Sequence, residues 1–530
     1  MLVAVFAILF AWATFMIGRP IVRYLQDPKG LRRYPCQNLL SGISALAYGW
    51  EVGRSHRLFH TQRLHEQLVK NPVVRVGPNW LSFGRAAAAK DIYGFSSPCN
   101  KGGIYHSLQG GVGESLILTL DRGFHSVRRR MVANSYAPNK IELWEPRVAD
   151  STRVLVSKLD AMCTATPTKP LAGAVPQEEL TFNAEPWSML YGFECAIKIG
   201  LSLDPGFLAQ GSDIVEVTRP DGRKENARVI DCMHSSSRAS SSLVWDTANF
   251  PLLKKMTAKF SPWYASQWHN ASNWGIFIEQ ITRERMELSD TGEDFEDLTQ
   301  LMIRDRKGEE AKISHIDRIT EVHQIVNGGG DGPAISLINT LYYLLKHPET
   351  MAKLRAELDA SLTPEDTVAP WSKVKKMPYL RACIDESMRL SPPVATDLLR
   401  TTPPDRPCTI AGEVVPPNTN VSISAYTAHR DPDIFPEPEA FIPERWLMTG
   451  DDRLRRMLEV YIPFSAGSRA CIGRSVALLM QVVYIATVVY RYDFALPSPD
   501  WEMKWVDYFN LWPVELPLKI WRRRVDKLNA

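Results

Sequence analysis

The residues best suited to chemistry surround one cysteine near the C-terminus. Cys471 lies in the run Phe464–Gly473, FSAGSRACIG, and the apolar stretch from Ile472 to Tyr490 predicts a deeply buried helix after it. A cysteine at the start of a helix meets unpaired backbone N–H groups and the positive end of the helix dipole, and both favour the thiolate. Gly467 and Gly473 allow the backbone to lie close against a flat group. The pattern predicts a thiolate ligand, although a lone cysteine is more often an inert buried side chain.

The spacing within this run matches a known signature. Phe464, Gly467, Arg469, Cys471 and Gly473 stand in the order Phe-x-x-Gly-x-Arg-x-Cys-x-Gly. In this order the chain resembles the cytochrome P450 family, whose cysteine thiolate binds haem iron. The resemblance implies that Cys471 is the axial ligand of a haem and that Arg469 contacts a haem propionate.

A charged triad extends the resemblance upstream of the cysteine. Glu386 and Arg389 are three residues apart, so on a helix they share one face, and Phe441–Trp446 contains Arg445 in a Pro-Glu-Arg segment. The resemblance implies that Arg445 completes a buried triad with this pair. Buried charges are costly unless each is satisfied, so the triad is expected to lock the loop beneath the haem and to be structural.

Further cations match the family's ligands for the haem carboxylates. His125 and Arg129 are four residues apart and would point at one target on a helix, and Arg400 follows Leu398-Leu399. The resemblance implies that these three residues and Arg469 bind the propionates. Arg128 and Arg130 flank Arg129, and we expect either of them to lie on a solvated face or to meet an acidic redox partner.

The segment Asn327–Pro333 occupies the position of the family's oxygen-binding helix. Its acid is present as Asp331, the candidate catalytic residue, but Gly332 stands where the family has threonine, and Pro333 follows. Glycine and proline both oppose a helix interior, so a local break is expected here. The missing hydroxyl leaves the haem assignment intact and opens the question of how protons reach bound oxygen.

Composition describes the chain that must position these groups. It has 530 residues, 45% hydrophobic and 23% charged, with a net charge of +3, which excludes disordered, collagenous and polytopic membrane classes. No basic tract is long enough to suggest nucleic-acid binding. The eight cysteines contain no CxxC pair and lie far apart, as is typical of a reducing compartment.

The N-terminus predicts a membrane anchor. An uncharged run from Leu2 to Gly18 is just long enough for a thin bilayer and lacks the basic start and cleavage site of a secretory signal, which is the alternative. Positive charges follow the run, so the remainder is expected on the cytosolic side of the endoplasmic reticulum membrane. We therefore divide the chain into an anchor at 1–18, a basic Pro/Gly-containing connector at 19–40 and a catalytic domain at 41–530.

Periodicity predicts a mainly α fold with a minor β-sheet region, which is also what the P450 resemblance implies. Val73–Gly77 and Trp80–Phe83 predict a hairpin, and strands return around residues 408–424. Arg147–Met162 and Trp263–Leu288 have the spacing of long amphipathic helices. The aromatic and basic stretch Phe250–Trp268 predicts either a second membrane contact or a core-facing helix pair.

The resemblance implies a monooxygenase that inserts one atom of O2 into a small lipophilic substrate, as in fungal terpenoid or polyketide biosynthesis. Since the chain carries no flavin or ferredoxin-like segment, its electrons would come from NADPH through cytochrome P450 reductase, with cytochrome b5 as an optional second donor. Two alternatives remain open. One is a haem-thiolate isomerase or dehydratase that needs no external electrons, and the other is a non-catalytic haem or lipid carrier.

Overall fold

Helices dominate the computed structural model, and sheets are confined to its margins. The structure describes residues 18–55, 57–68, 72–109, 113–168, 173–290, 295–303, 309 and 313–524.

The helices in chain order are α1 (residues 18–26), α2 (Leu46–Gly53), α3 (Arg57–Gln67), α4 (Ala88–Tyr93), α5 (Ile104–Gln109), α6 (Arg122–Val132), α7 (Ile141–Met162), α8 (Ala184–Leu201), α9 (Phe207–Gln210), α10 (Val229–Ser241), α11 (Phe250–Phe260), α12 (Pro262–Asp290), α13 (Gln300–Ile303), α14 (His315–Lys346), α15 (Pro348–Asp359), α16 (Trp371–Val374), α17 (Pro378–Leu390), α18 (Ala425–Ala428), α19 (Asp452–Val460) and α20 (Arg474–Arg491).

The strands are β1 (Val73–Gly77), β2 (Trp80–Phe83), β3 (Asn100–Lys101), β4 (Phe182–Asn183), β5 (Ile214–Thr218), β6 (Lys224–Arg228), β7 (Arg400–Thr401), β8 (Cys408–Ile410), β9 (Glu413–Val415), β10 (Asn420–Ser422), β11 (Tyr492–Ala495), β12 (Trp505–Asp507), β13 (Leu511–Pro513) and β14 (Pro517–Arg522).

Two sheets contribute most to the position of the site. The larger has five strands in the order β1-β2-β10-β7-β3, and its last pair is antiparallel with Lys101 opposite Arg400. A separate antiparallel ribbon, β12–β13, lies near the C-terminus and pairs Val506 with Trp512. The five-stranded sheet joins segments that are far apart in sequence, and the local β12–β13 ribbon packs against α14, so side chains at their ends meet groups that no local motif connects.

The centre of the fold is the crossing of α14 over α8. The two backbones approach closely because glycine faces glycine: a Cβ on Gly192 would lie 2.4 Å from the Gly330 carbonyl oxygen. Helix α20 packs beside them with nearly all its side chains buried, including Leu479, Tyr484 and Val488. Large apolar side chains from these three helices form the main core.

The predicted elements are largely present, with shifted ends. The hairpin Val73–Gly77 with Trp80–Phe83 is confirmed as β1 and β2. Helix α7 begins at Ile141, before the predicted Arg147, because burial of Ile141 and Trp144 carries the helix through Pro146. The strand signals near residues 408–424 form β8, β9 and β10.

The expected break at Gly332 and Pro333 is wrong. Helix α14 continues from His315 to Lys346 with Pro333 inside it. Proline removes one backbone hydrogen bond, but residues Pro333 to Thr340 are all buried, and their packing outweighs the local cost. The altered sequence therefore changes the surface of the helix and leaves its course unchanged.

The predicted anchor lies outside the described residues except for its last position, Gly18. Residues 19–40 contain α1 and a short turn of helix at Leu31–Arg33. Among the described helices, only Arg474–Arg491 is long and apolar enough to cross a membrane, and 78% of it is buried in the protein core.

Candidate active site

Cys471 lies just before the first turn of α20, which begins at Arg474. Its backbone N–H donates to the Phe464 carbonyl oxygen at 2.8 Å, which folds the loop into a tight turn. Burial raises the pKa of the Cys471 thiol, whereas the N–H groups of Gly473 and Arg474 and the Arg129 guanidinium act in the opposite direction. The helix start therefore directs donors at the sulfur, as the sequence predicts.

The thiol faces an internal space. The Cys471 side chain is exposed, yet enough protein surrounds it for burial to raise its pKa. Both observations hold when the sulfur opens on a cavity within the protein. Ile472 and Ile325 of α14 pack against the same small apolar cluster, so α14 passes close to this cavity.

Two glycines clear the face of α14 in this region. A Cβ on Gly328 or on Gly332 would meet no atom within 4 Å, and these positions are one turn apart on the same face. Gly329 and Gly330 lie between them and pack instead against Ala196 and Phe193 of α8. The glycine run thus serves two purposes, close helix packing and an unobstructed surface.

Four cations converge beside the cysteine loop, and one of them was not predicted. Arg129 donates to the Ala470 carbonyl oxygen at 2.7 Å, and Arg469 donates to the Thr119 carbonyl oxygen at 3.2 Å. Arg400 donates to the Tyr105 hydroxyl at 3.1 Å. Lys101, opposite Arg400 in the sheet, is the additional cation, and no motif pointed to it because strand pairing brings it here.

These cations repel one another. Burial and then the charges of Arg469, Arg400 and Arg129 lower the pKa of Lys101 to about 6. Burial and Arg400 lower the pKa of Arg469 to about 10. None of the four forms an ion pair with a carboxylate in the part of the chain that the structure describes.

His125 completes the cluster as a neutral donor. Burial, followed by Arg469, Lys101 and Arg129, lowers its pKa to about 4. Buried cations without a counter-charge are costly, so the cluster fits a ligand with at least two negative charges. A haem, with one thiolate-bound iron and two propionates, fits these donors: Cys471 would hold the iron, and the cations with His125 would hold the carboxylates.

The charged triad forms as the sequence predicts. Arg389 donates to both oxygens of Glu386 at 2.9 Å, and Arg445 donates to Glu386 Oε1 at 3.0 Å. The side chains of Glu386 and Arg389 are fully buried, and Arg445 is 5% exposed. Because every charge has a partner, the triad fixes the 436–446 loop against α17.

Two further residues contact this triad, and one of them, His429, connects it to the segment before the cysteine loop. Trp446 donates its indole N–H to Glu386 at 2.9 Å. His429 lies against the Arg389 carbonyl oxygen at 3.2 Å, and its Nε2 accepts the Ile462 backbone N–H at 2.8 Å. Burial lowers the pKa of His429 to about 3, so a neutral imidazole bridges the two segments.

Asp331 lies on α14 beside the cleared face but is itself 1% exposed. Its Oδ1 is 2.9 Å from His234 Nε2, and its Oδ2 accepts hydrogen bonds from Trp512 at 2.9 Å and from Asn510. The three partners come from α10 and from the β12–β13 ribbon. None of them was found from sequence, because none is near Asp331 in the chain.

Arg128 and Arg130, the two arginines that flank Arg129, differ in their exposure to solvent. Arg128 is buried and lies 3.4 Å from Asp317 and 3.8 Å from Glu321, so it is not available to a redox partner. Arg130 is exposed, so the expectation of a solvated arginine holds for this position.

Comparisons with known proteins identify relatives of this chain in sequence and in fold. The family model "Cytochrome P450" matches residues 211–506. The chain is 29% identical over 446 residues to "Cytochrome P450 monooxygenase olcB" of Penicillium canescens, covering 83% of each. It is 26% identical over 464 residues to "Benzoate 4-monooxygenase bphA" of Aspergillus niger, covering 86% of this chain and 87% of the relative. A structure described as the haem domain of cytochrome P450DA superposes with a TM-score of 0.69 at 18% identity, covering 88% of this chain and 93% of that one.

Proposed function

The chain belongs to the cytochrome P450 family, and we propose that it is a membrane-bound haem-thiolate monooxygenase acting on a small lipophilic substrate. The observation that carries this proposal is the accessible Cys471 thiol before α20, beside four cations that have no carboxylate ion-pair partner among the described residues. The relatives from Penicillium and Aspergillus support the same activity. Their fungal source is in line with a role in secondary-metabolite biosynthesis, and we propose a terpenoid or polyketide type of substrate.

Each part of the site has a task toward the haem. Cys471 would bind the iron, with Gly473 and Arg474 N–H groups stabilising its negative charge. His125, Arg129, Arg400, Arg469 and Lys101 would hold the propionates. When bound, the haem supplies the reductive activation of O2, in which two electrons and two protons leave one oxygen atom in the product and one in water. The bare face at Gly328 and Gly332 gives a bulky substrate room beside α14.

The cysteine assignment has a direct spectroscopic test. We expect the reduced wild type to give the red-shifted carbon monoxide band of thiolate-bound ferrous haem, and Cys471→Ala to lose it. Cys163→Ala is the matched control, because this free cysteine lies at the end of α7 outside the site and its variant should keep the band. A normal band from Cys471→Ala would assign the iron to another ligand.

The monooxygenase and its alternatives differ in whether they need external electrons. A monooxygenase consumes O2 and NADPH and requires cytochrome P450 reductase, whereas an isomerase or dehydratase forms product anaerobically without it. The missing hydroxyl at Gly332 is the observation that favours the second possibility. Products from terpenoid and polyketide precursors, measured with and without reductase and O2, decide between them. A haem carrier gives no product in either condition.

An exposed apolar and basic surface supports the proposed attachment to the endoplasmic reticulum membrane, and the cytosolic side for the catalytic domain is proposed from the positive charges that follow residues 1–18. On α11 and the start of α12, Met256, Phe260 and Trp263 are 47%, 71% and 48% exposed, and exposed lysines lie among them. Leu39 and Trp50, around the start of α2, are 97% and 66% exposed. Ser242 joins the two segments, since it donates to or accepts from Tyr264 at 2.8 Å and lies against Gly49. An apolar and basic surface of this kind suits a lipid interface.

Fractionation tests the attachment. Removal of residues 1–18 should shift the protein toward the soluble fraction while leaving haem bound, and adding Phe260→Ser and Trp263→Ser should release most of the remainder. Leu458→Ser, on α19, is the control for loss of an exposed apolar side chain and should change nothing. Protection of the catalytic domain from protease in sealed microsomes would reverse the topology.

A further inference from the structure

Asp331 joins three elements at one buried point. His234 comes from α10, while Asn510 and Trp512 belong to the β12–β13 ribbon. The imidazole of His234 also stacks on the Trp512 indole, with ring centres 4.2 Å apart. The site already described gives this assembly no role, although it adjoins the open face at Gly332.

The chemistry of the partners assigns roles within the junction. Asn510 and Trp512 reach Asp331 through N–H groups, which can only donate, so Oδ2 is an acceptor at all times. The remaining oxygen, Oδ1, faces His234 Nε2. A carboxylate held by three nitrogen donors is a fixed acceptor, and a carboxylate so placed is suited to orienting an imidazole.

The hydrogen bond also selects the atom of His234 that can exchange a proton. Since Nε2 donates to Asp331, the neutral ring carries its hydrogen there and leaves Nδ1 as an acceptor, and the protonated ring donates from both. Asp331 is 1% exposed, whereas the His234 side chain is 12% exposed. The imidazole is therefore the member of the pair that reaches water.

Charged groups on two helices lie close to His234. Asp331 faces it from α14, Glu185 lies near it on α8, and the ribbon places the neutral Asn510 and Trp512 against the other oxygen of Asp331. Burial raises the pKa of Glu185 to about 7; among the nearby charges, His234 and Arg228 lower it, and Asp331 and Asp213 raise it. A second group that can exchange protons near neutral pH thus neighbours the imidazole.

The two positions of α14 after Asp331 where a hydroxyl could serve do not offer this route. Gly332 has no hydroxyl, and the hydroxyl of Ser336, one turn farther, is buried without a hydrogen-bond partner among the described residues. We propose that His234 is the proton donor on the α14 side of the cavity, and that Asp331 is the residue that orients it. The inference rests on the proposed monooxygenase function.

The step balances as a proton transfer. Protonated His234 releases the proton on Nδ1 to water beside Gly332 and recovers one from solvent, while Nε2 keeps its hydrogen bond to Asp331. Full reduction without substrate follows O2 + 2 NADPH + 2 H⁺ → 2 H2O + 2 NADP⁺. Interrupted reduction follows O2 + NADPH + H⁺ → H2O2 + NADP⁺. The hydrogen peroxide released per NADPH consumed therefore measures failed proton delivery and requires no identified substrate.

The test uses the full-length haem-loaded protein in membranes with reductase, NADPH and O2. In His234→Gln the amide can still donate to Asp331 but cannot titrate, so we expect peroxide per NADPH to rise at least about threefold and to lose its dependence on pH. His315→Gln is the matched control, because it makes the same substitution at an exposed histidine at the start of α14, outside the Asp331 junction. Its peroxide fraction and pH dependence should equal those of the wild type.

A second variant keeps the inference testable if His234→Gln loses haem. Asp331→Asn weakens the acceptor that orients the imidazole, so peroxide per NADPH should rise as it does in His234→Gln. A wild-type peroxide fraction in Asp331→Asn, or a wild-type peroxide fraction and pH profile in His234→Gln, would show that His234 is only a structural donor. A wild type without the carbon monoxide band or NADPH oxidation would instead overturn the proposed function.

Discussion

The cysteine side and the α14 side of the cavity are assembled in different ways. On the cysteine side, most residues proposed to hold the haem or its loop belong to short motifs, such as Phe464–Gly473 and the Glu386–Arg389 pair. The structure shows the contacts within these motifs that their spacing predicts. On the α14 side, Asp331 is satisfied by His234 and by Asn510 and Trp512, which are 97, 179 and 181 residues away. A site whose residues share one segment can be predicted from the local sequence, whereas a site assembled by tertiary contacts cannot.

The largest expected effect is at the centre of the triad. Glu386→Gln removes the charge that pairs Arg389 with Arg445, so both guanidinium groups lose their only buried counter-charge in the triad. We expect a loss of about 3–5 kcal/mol in the free energy of unfolding and haem-free protein. Denaturant unfolding and haem content measure both.

Two variants set the scale for that result. Glu279→Gln breaks an exposed pair with Arg283 and should cost less than about 1 kcal/mol. Asp331→Asn leaves neutral donors at Asn510 and Trp512 and should retain haem. If Glu386→Gln retained normal haem occupancy, the cysteine side would be no more dependent on its charges than the α14 side.

Much of the fold follows from local sequence, and the exceptions have physical causes. The valines and aromatic residues on either side of Pro78-Asn79 were enough to predict β1 and β2, and the apolar run after Cys471 predicted α20. The proline rule failed at Pro333, because buried neighbours held the helix on both sides, and α7 likewise continues through Pro146. A rule derived from isolated helices underestimates how strongly tertiary packing stabilises a helix that contains proline.

The same reasoning explains which site residues sequence could not reveal. Lys101 reaches the cation cluster only because β3 pairs with β7 and places it opposite Arg400. Its own segment carries no motif. His234 lies on a helix with ordinary amphipathic spacing, and nothing marks it until Asp331 is brought beside it. Trp446 adjoins a recognised motif and could have been suspected from that position alone.

An intermediate effect is expected at Lys101, with opposite signs for the empty and loaded protein. Its pKa is lowered to about 6, below its ordinary value of 10.5, so the folded haem-free state binds fewer protons than the unfolded state between these values. The free energy of unfolding of the haem-free protein therefore rises with pH across that window. Lys101→Met should remove this dependence and raise the melting temperature of the haem-free protein.

The loaded protein should respond in the opposite direction. Losing one cation facing the propionates should speed haem loss roughly tenfold, equivalent to about 1.4 kcal/mol. Transfer of haem to an excess of apomyoglobin measures the rate. Lys90→Met, an exposed lysine on α4, is the control and should change neither property. Faster haem loss without the stability gain would place the effect in packing, outside the cation cluster.

The smallest expected effect on stability is at Gly332, and comparing it with Gly330 distinguishes the two kinds of glycine on α14. A Cβ at Gly330 would lie 2.7 Å from the Phe193 ring, so Gly330→Ala should cost roughly 1–3 kcal/mol by overpacking. A Cβ at Gly332 would meet nothing within 4 Å, so Gly332→Ala should gain up to about 1 kcal/mol from helix propensity. Thermal unfolding of both variants with haem bound measures the difference, and equal losses would mean that the Gly332 face is closed.

Gly332→Thr then brings the two sides of the comparison together. It restores a hydroxyl on the open face, one residue from Asp331, at a position where an added Cβ would meet no atom within 4 Å. If His234 supplies protons through water in this space, the new hydroxyl adds a donor to an existing route and lowers peroxide per NADPH only slightly. In a His234→Gln background the same substitution should lower it much more, because the proposed donor has been removed. Equal effects in the two backgrounds would mean that the new hydroxyl acts independently of His234. Proton delivery on this side would then depend on the backbone of α14 and its waters.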